Sequence, residues 1–283
     1  MNLGTFNILE VVRVSDIAYI LSDGENEIFL HKKEALRDYV AGDKINVFIY
    51  VDNVGRPTAS TKQPFITIDS SAFLEVVSIN YEYGIFLNNG LVKDLLLSKD
   101  DLPLSIQSWP IIGDELYVTM KVKKDQLYAK IVSRKLITPE LRPTEILEVG
   151  NNYEAIVLFL LVEGLVCFTK AGHEIFVHYN NTRTKYRLGE PVSVRILKLN
   201  ENDEYVGTLI QQKELMLDAD AKTLVDYMEK HSHQMRFTDQ SSPEEIQAAF
   251  HMSKSAFKRA LGTLYKNGTV ELKNDRTVMI QKN

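Results

Sequence analysis

Three stretches of this 283-residue chain share one pattern: GDKINVFIYV (residues 42–51), GDELYVTMKV (113–122) and GEPVSVRILKL (189–199). Each begins with a glycine and an acidic residue and continues as an alternating or apolar run, which is typical of a turn followed by a β-strand. Their first glycines are 71 and 76 residues apart. A nearly constant period of this length indicates repeated small domains.

Each repeat contains further shared segments. NEIFLHKKEAL begins at Asn26, VKDLLLSKDDL at Val92 and HEIFVHYNNT at His173. A longer apolar segment precedes each of these and a short one closes each repeat, so every unit has five β runs in about 70 residues, as a small closed barrel requires. One large sandwich is the alternative, and the regular spacing disfavours it.

After residue 213 the pattern becomes helical. Residues 214–230 show the spacing of an amphipathic helix. A capping box at Ser242–Glu245 with Pro243 predicts a second helix that ends near Phe250, and Ser253 caps a third that runs to about Asn267. Two β runs follow, so the segment predicts a winged helix whose second and third helices form a helix-turn-helix.

The expected fold class is therefore multidomain, mainly β and then α+β. Three tandem five-stranded OB-fold barrels are expected over residues 1–63, 64–143 and 144–213, and a winged-helix domain over 214–283. The second range includes a proline-bearing linker at 136–143.

Charge is distributed unevenly along the chain. The formal net charge is -5, although nucleic-acid-binding proteins are usually basic. Residues 251–283 carry seven Lys and Arg against two acids, so the remainder carries a net charge of -10. The local field matters more for binding than the sum, and it favours a positive C-terminal domain.

The repeat resembles the S1 RNA-binding domain. In that family an aromatic-Gly-x-aromatic strand, a Val-His strand end, and a late Val-Asp and Gly-Arg place aromatic rings, a histidine, an aspartate and an arginine on one face. The second unit has Tyr83-Gly84-Ile85-Phe86, and the first has Tyr19 where Phe86 stands. The first unit also has His31, Asp52 and Arg56 at the other positions, the third has His178, and the second has Leu97 in place of the histidine.

The S1 resemblance implies that these residues hold single-stranded RNA. Unpaired bases stack on aromatic rings, and histidine or arginine bonds phosphates and base edges. No unit keeps the whole set, so packing in the core remains open for the aromatics and a structural role remains open for the histidines.

Further basic residues extend the expected RNA-binding surface. The third unit contributes a basic loop and one strand residue: Arg183, Lys185, Arg187 and Arg195. The winged helix contributes the polar side of its third helix and its hairpin: Lys254, Lys258, Arg259, Lys266, Lys273 and Arg276. A solvated helix side and a solvated loop are the alternatives. The charge distribution predicts that reversing Lys254, Lys258 and Arg259 weakens RNA binding more than Tyr83→Ala does.

The whole order of domains resembles the conserved virulence factor B family of Gram-positive bacteria. The most specific stretches are GLVKDLLLSKDDL from Gly90, Ser108-Trp109-Pro110, and DQSSPEEIQAAFHMSKSAFKRALGTLY over 239–265. The resemblance covers nearly the full chain. It implies an RNA-binding regulator that influences expression of virulence factors.

A nuclease is one alternative to an RNA-binding protein. A nuclease needs clustered acidic residues around metal ions, and the acidic residues of this sequence are scattered. His231-Ser232-His233 lacks partners for a metal site, so neither catalysis nor a cofactor is expected. A DNA-binding transcription regulator and a ribosome-associated scaffold remain alternatives.

A cytoplasmic location is expected. The first residues lack the pattern of a signal peptide, and no apolar run reaches the length of a membrane span. The single cysteine, Cys167, fits a reducing compartment and reads as a small apolar strand residue.

Overall fold

The structure is a computed structural model that describes residues 1–200, 204–210 and 213–280, and the side chains of all of these except 213–218. The chain divides into two compact units. One contains residues 1–177 and 186–206, and the other contains 178–185 and 207–283.

The first barrel closes through five strands in the spatial order β1-β2-β3-β5-β4. The strands are β1 (Phe6–Val14), β2 (Ala18–Ser22), β3 (Glu27–His31), β4 (Lys44–Val51) and β5 (Pro57–Ser60). In β3 exposed and buried residues alternate, because successive side chains of a strand point to opposite sides of the sheet.

The second and third barrels repeat this topology, which confirms the expected fold class. The second consists of β6 (Ser71–Asn80), β7 (Gly84–Leu87), β8 (Leu95–Ser98), β9 (Glu115–Lys123) and β10 (Gln126–Ile131). The third consists of β11 (Asn152–Leu160), β12 (Gly164–Phe168), β13 (Glu174–His178), β14 (Pro191–Leu199) and β15 (Tyr205–Thr208). The first strand of every barrel has a register shift that bends it as closure requires.

A single turn of 3-10 helix follows the third strand of each barrel, at Lys32–Glu34, Lys99–Asp101 and Tyr179–Asn181. The last residue of the strand caps the turn. Nδ1 of His31 accepts from the Lys33 N–H at 3.0 Å, Oγ of Ser98 accepts from Asp100 at 3.3 Å, and Nδ1 of His178 accepts from Asn180 at 3.0 Å. The residue that takes the place of His31 in the second barrel is therefore Ser98, and the alignment of Leu97 with it was wrong.

The barrels of the first unit share apolar and ionic contacts. One hydrophobic cluster joins Phe48 of the first barrel, Leu116 of the second and Phe168 of the third. The guanidinium of Arg187 donates two hydrogen bonds to the buried Asp114, at 2.8 and 2.9 Å, and these bonds raise the pKa of Arg187. The ion pair fastens the third barrel to the second.

Helix α1 (Arg134–Leu141) replaces most of the expected irregular linker. Its contacts with the third barrel hold it: Arg134 donates to the Glu174 carboxylate, and the Thr138 hydroxyl donates to the Gly172 carbonyl at 2.8 Å. Pro139 within the segment favoured a linker, and tertiary contacts overrode that preference.

The winged-helix domain has helices α2 (Lys213–Lys230), α3 (Pro243–Phe250) and α4 (Lys254–Lys266). Strands β16 (Gln234–Met235), β17 (Val270–Leu272) and β18 (Thr277–Met279) form a sheet with β18 in the centre. The expected capping box at Ser242 and Glu245 is present, and Ser253 caps α4. The short strand β16 was not expected from the sequence. Apolar residues from all three helices form the core.

Candidate nucleic-acid interface

A groove of about 460 Å³ opens on the first barrel; we call it the first-barrel groove. Its lining residues come from four strands of the first barrel, the turns beside them and one residue of the second barrel: Ile17, Ala18, Phe29, His31, Lys33, Glu34, Tyr50, Asp52, Arg56, Pro57, Thr58 and Val92. Three residues expected from the S1 resemblance, His31, Asp52 and Arg56, meet in this groove.

Phe29 provides the exposed ring of the first-barrel groove. It alternates along β3 with the core residues Ile28 and Leu30, so its side chain points away from the core and is 59% exposed. His31 lies two residues further on the same side and is also exposed. Because Nδ1 of His31 accepts from the backbone, the neutral ring carries its hydrogen on Nε2 and can donate.

Asp52 and Arg56 form a fork at the rim of the groove. Nε and Nη2 of Arg56 donate to Oδ2 of Asp52 at 3.0 and 2.8 Å, and the Val54 N–H donates to Oδ1. Burial raises the pKa of the Asp52 carboxyl, but hydrogen bonds from Arg56 and Val54 outweigh burial and hold that pKa below its usual value. The carboxylate orients the guanidinium, which remains largely in solvent.

Tyr19 is a core residue, and its placement on the binding surface was wrong. It is 1% exposed, and its hydroxyl donates to Oδ1 of Asp38 at 2.9 Å. Strand pairing explains the error. Phe86 pairs with Leu96 in the second barrel, and Ile20 pairs with Phe29 in the first, so Phe86 corresponds to Ile20 rather than to Tyr19.

The second barrel separates its two expected aromatic residues. Tyr83 is exposed in the turn before β7, whereas Phe86 is half-buried within that strand. Gly84 lies between them with φ +138°, and a Cβ there would meet the carbonyl oxygen of Leu97 at 2.1 Å. Close approach of β7 and β8 therefore requires glycine at this position.

The third barrel has a groove of about 470 Å³ at the position that corresponds to the first-barrel groove, and residues that precede the barrel line one side of it. We call this surface the third-barrel face; its lining residues are Thr138, Pro143, Glu145, Ile146, His173, Glu174, Phe176, Leu199, Glu204 and Tyr205. Phe176 takes the place of Phe29, because it pairs with β15 as Phe29 pairs with β5. The lining contains three glutamates and no lysine or arginine.

The segment between the second and third barrels is fixed beside this face. Nε2 of His173 donates to the Glu145 carbonyl at 2.6 Å, and the Leu147 N–H donates to the Tyr205 hydroxyl at 3.1 Å. Arg134 adds its ion pair with Glu174. The segment thus forms one wall of the third-barrel face, which remains an open groove.

Two of the four basic residues expected near the third barrel, Arg183 and Arg187, have structural partners. Arg187 binds Asp114, and Arg183 binds the buried Asp220 of α2 at 2.9 Å. Arg195 is half-buried on β14, and within the described residues its Nε has no hydrogen-bond partner. His178 is partly buried and caps a turn, and Lys185 is exposed.

Helix α4 presents a continuous outward stripe, defined by Ser255, Lys258, Arg259, Gly262, Tyr265 and Lys266, which we call the α4 stripe. These residues recur every three or four positions, and all are exposed, while Phe257 and Leu261 lie in the core. In the part of the chain that the structure describes, Lys258, Arg259 and Lys266 have no ion-pair partner, and neither has the half-buried Lys254 beside the stripe.

The hairpin of the winged helix carries less free charge than expected. Nη2 of Arg276 binds Asp275 at 2.7 Å, and Nζ of Lys273 lies 3.9 Å from Glu271. Both cations are exposed, but an adjacent carboxylate offsets each one.

Among the groove residues that sequence reasoning missed, four have aromatic or charged side chains: Phe29, Lys33, Glu34 and Tyr50. Phe29 was detectable, because the alternation in EIFLH places it on the same side as His31. Tyr50 was not, because the whole run 47–51 is apolar or aromatic and the sequence does not show which of its residues faces the second barrel.

Other expectations concern sites and segments outside these surfaces. Cys167 is fully buried on β12, and burial raises the pKa of its thiol. Nδ1 of His231 donates to the Tyr227 carbonyl at 2.7 Å. Within the described residues, no group of three or more metal-ligating side chains is positioned to hold an ion. In that same part of the chain, no helix is long and apolar enough to cross a membrane.

Family models match three parts of the chain. The S1 domain matches residues 3–62, the CvfB first S1-like domain matches 71–130, and the CvfB-like winged helix domain matches 222–278. Consecutive S1-type barrels with a winged helix define a class of multidomain proteins built from domain types that bind nucleic acid.

Full-length relatives narrow this class. The chain is 31% identical over 285 residues to Conserved virulence factor B of Staphylococcus saprophyticus, covering 99% of this chain and 95% of the relative. It is 33% identical to the Bacillus subtilis protein YitL, described as uncharacterized, covering 95% and 91%. A crystal structure of a multidomain protein with nucleic acid binding domains from Streptococcus pneumoniae matches with 27% identity and a TM-score of 0.67, covering 98% of both chains. The chain belongs to the conserved virulence factor B family.

Proposed function

We propose that this chain is an RNA-binding regulatory protein that binds single-stranded RNA through the first-barrel groove and the α4 stripe. The observation that carries the proposal is Phe29, whose ring is 59% exposed beside His31 and Arg56. Only an unpaired base can stack on such a ring, and base–aromatic stacking contributes about 1–3 kcal/mol per base.

The α4 stripe supplies the electrostatic part of the proposed binding. Lys258, Arg259 and Lys266 lie on one side of the helix, Tyr265 lies among them, and Lys254 lies at the start of the helix. Cations along a phosphate backbone release counterions, which makes affinity depend steeply on salt. Lys185, Lys273 and Arg276 are proposed as weaker contributors, since two of them already have acidic neighbours.

The regulatory part of the proposal rests on the family. Relatives are named Conserved virulence factor B, and we infer that this chain influences gene expression, including that of virulence factors, after transcription in the cytoplasm. The domain types are of the nucleic-acid-binding kind and give no reason to propose catalysis.

Binding of duplex DNA is the second candidate function. The observation that favours it is the helix-turn-helix of α3 and α4, whose basic outer side has the form of a recognition helix. The two candidate functions differ in the residues that they require. Binding of single-stranded RNA requires Phe29, whereas binding of duplex DNA requires only α4.

The test is a fluorescence anisotropy titration of the full chain against a single-stranded RNA and a duplex DNA of equal length, at several salt concentrations. We expect tighter binding of RNA. Replacing Lys254, Lys258 and Arg259 by Glu should lower the salt slope by about 2, from roughly 0.7 per lost phosphate contact. The same triple replacement should weaken RNA binding more than Tyr83→Ala does. Equal or tighter binding of duplex DNA would favour the second candidate, and no binding of either would favour an interaction scaffold.

A further inference from the structure

The floor of the first-barrel groove contains a hydroxyl group without a partner. Val47 and Ile49 of β4 point into the core of the first barrel, whereas Phe48 and Tyr50 point outward and join the hydrophobic cluster that includes the second barrel. Tyr50 is therefore only 7% exposed, yet it lines the groove. Among the described residues its hydroxyl has no hydrogen-bond partner. The hydroxyl is not enclosed, because among the described residues Nε of Arg195 is the one buried side-chain polar atom without a partner. It therefore opens to the groove, where a ligand atom can accept its hydrogen.

Carboxylates flank this hydroxyl. Glu34 is 3% exposed, its Oε1 lies 2.9 Å from Nζ of Lys62, and its Oε2 accepts from the Ser60 hydroxyl at 2.8 Å. Each oxygen retains a lone pair for a further donor. Burial raises the pKa of Tyr50 to about 12, and the charges of Glu34 and Asp52 act in the same direction. At neutral pH the Tyr50 hydroxyl is thus protonated and can donate a hydrogen bond. The neighbouring carboxylates of Glu34 and Asp52 are acceptors, and they repel carbonyl oxygens.

The rim of the groove has the opposite character. Lys33 and Arg56 are cations at the rim, and Phe29 offers an exposed ring. A volume of about 460 Å³ lies within the range of sites that hold one small molecule or nucleotide. The second barrel closes one side through Val92, and Nζ of Lys93 donates to the Asp52 carbonyl at 3.0 Å. A base that stacks on Phe29 is therefore favoured with its polar edge toward the floor and its phosphate at the rim.

We propose that the first-barrel groove, completed by the second barrel, selects adenine. The base stacks on Phe29, the Tyr50 hydroxyl donates to a ring nitrogen, and the exocyclic amino group donates to the Glu34 carboxylate. Adenine offers an amino donor beside a ring nitrogen and no carbonyl oxygen. Uracil and guanine place a carbonyl oxygen where the amino group would donate to Glu34, and cytosine adds a carbonyl oxygen on the other side of its ring nitrogen. The inference rests on the proposed function where the adenine belongs to an RNA strand, and it applies equally to a free adenine nucleotide.

The experiment compares RNA octamers of adenosine and uridine by anisotropy with the full chain. We expect the wild type to bind the adenosine octamer about 5- to 10-fold more tightly, from one or two net hydrogen bonds. Tyr50→Phe removes only the hydroxyl and should reduce the preference below about 2-fold by weakening the adenosine octamer alone. Tyr117→Phe is the matched control, because Tyr117 is equally buried, its pKa is also raised to about 12 by burial, and its hydroxyl binds Glu140 away from the groove. It should keep the preference.

Adenosine monophosphate distinguishes the two sources of the base. Competition that requires a large excess assigns the groove to an RNA strand, and competition at the concentration of the octamer assigns it to a free nucleotide. Equal affinity for the two octamers, or a preference that survives Tyr50→Phe, overturns the inference while leaving RNA binding intact. If the wild type binds neither octamer, the proposed function fails, and calorimetry with adenosine monophosphate decides the inference: binding lost in Tyr50→Phe upholds it, and absence of binding overturns it.

Discussion

The first-barrel groove and the third-barrel face lie at corresponding positions of two barrels with the same strand order, but different side chains line them. Each lies beside a strand with the sequence Glu-Ile-Phe, an apolar residue and histidine. Each histidine caps the turn of 3-10 helix that follows its own strand. The groove has an exposed Phe29 with Lys33 and Arg56 at its rim. The third-barrel face has a half-buried Phe176, three glutamates and a wall made by residues that precede the barrel. A motif of aromatic and histidine residues therefore does not define a binding surface until its neighbours are known.

A matched pair of substitutions gives the largest expected effect on this comparison. Phe29→Ala should weaken binding of single-stranded RNA by about 5- to 150-fold, because it removes a stacking contact of about 1–3 kcal/mol. Phe176→Ala should change the affinity by less than about 2-fold, since its ring is half-buried and lies among glutamates that repel phosphate. Anisotropy titrations of both variants at one salt concentration measure the contrast. Equal losses in the two variants would mean that the third-barrel face also binds RNA.

A smaller effect is expected from the two arginines that bind carboxylates at these surfaces. Arg134→Ala should lower the free energy of unfolding by about 1 kcal/mol, because Arg134 and Glu174 are only partly exposed and Glu174 loses its partner. Arg56→Ala should lower it by less than about 0.5 kcal/mol, since the Arg56 side chain lies mostly in solvent, while weakening RNA binding. Urea unfolding and anisotropy on the same preparations test this. A loss of RNA affinity in Arg134→Ala rather than in Arg56→Ala would contradict the assignment of RNA binding to the first-barrel groove.

The smallest expected effect is on how the free energy of unfolding changes at acidic pH. The pKa of Asp52 is lowered in the folded chain, so the carboxylate stabilises the fold above the usual aspartate pKa of about 3.9 and loses this contribution as pH falls through the folded value. Asp52→Asn should therefore be less stable than the wild type at pH 7 and pH 5 by a similar amount, below about 1 kcal/mol. The difference should shrink as pH falls below the usual aspartate pKa and through the lower folded value. Urea unfolding across this pH range measures it. A difference that grew on acidification would contradict the assignment of the shift.

The candidate site was predictable where one strand or one helix decides it. Alternation in β3 places Phe29 and His31 on one side, and helical spacing places Lys258, Arg259 and Lys266 on another. Tyr19 was misassigned because a shift of one position in strand pairing moves a side chain from the surface to the core. The ion pairs of Arg183 and Arg187 join residues far apart in the chain, and no local pattern indicates them.

Three barrels, the winged helix and the location of its positive charge follow from the sequence alone, because periodicity, turn residues and helix caps act over a few residues. The lining of each barrel groove follows from tertiary packing. The second barrel packs on Tyr50 and completes the first-barrel groove, whereas α1 and the residues after it form one wall of the third-barrel face. These outcomes depend on which segments pack against each other across long separations in the chain. That packing is set by shape and charge in three dimensions rather than by the spacing of residues along the sequence.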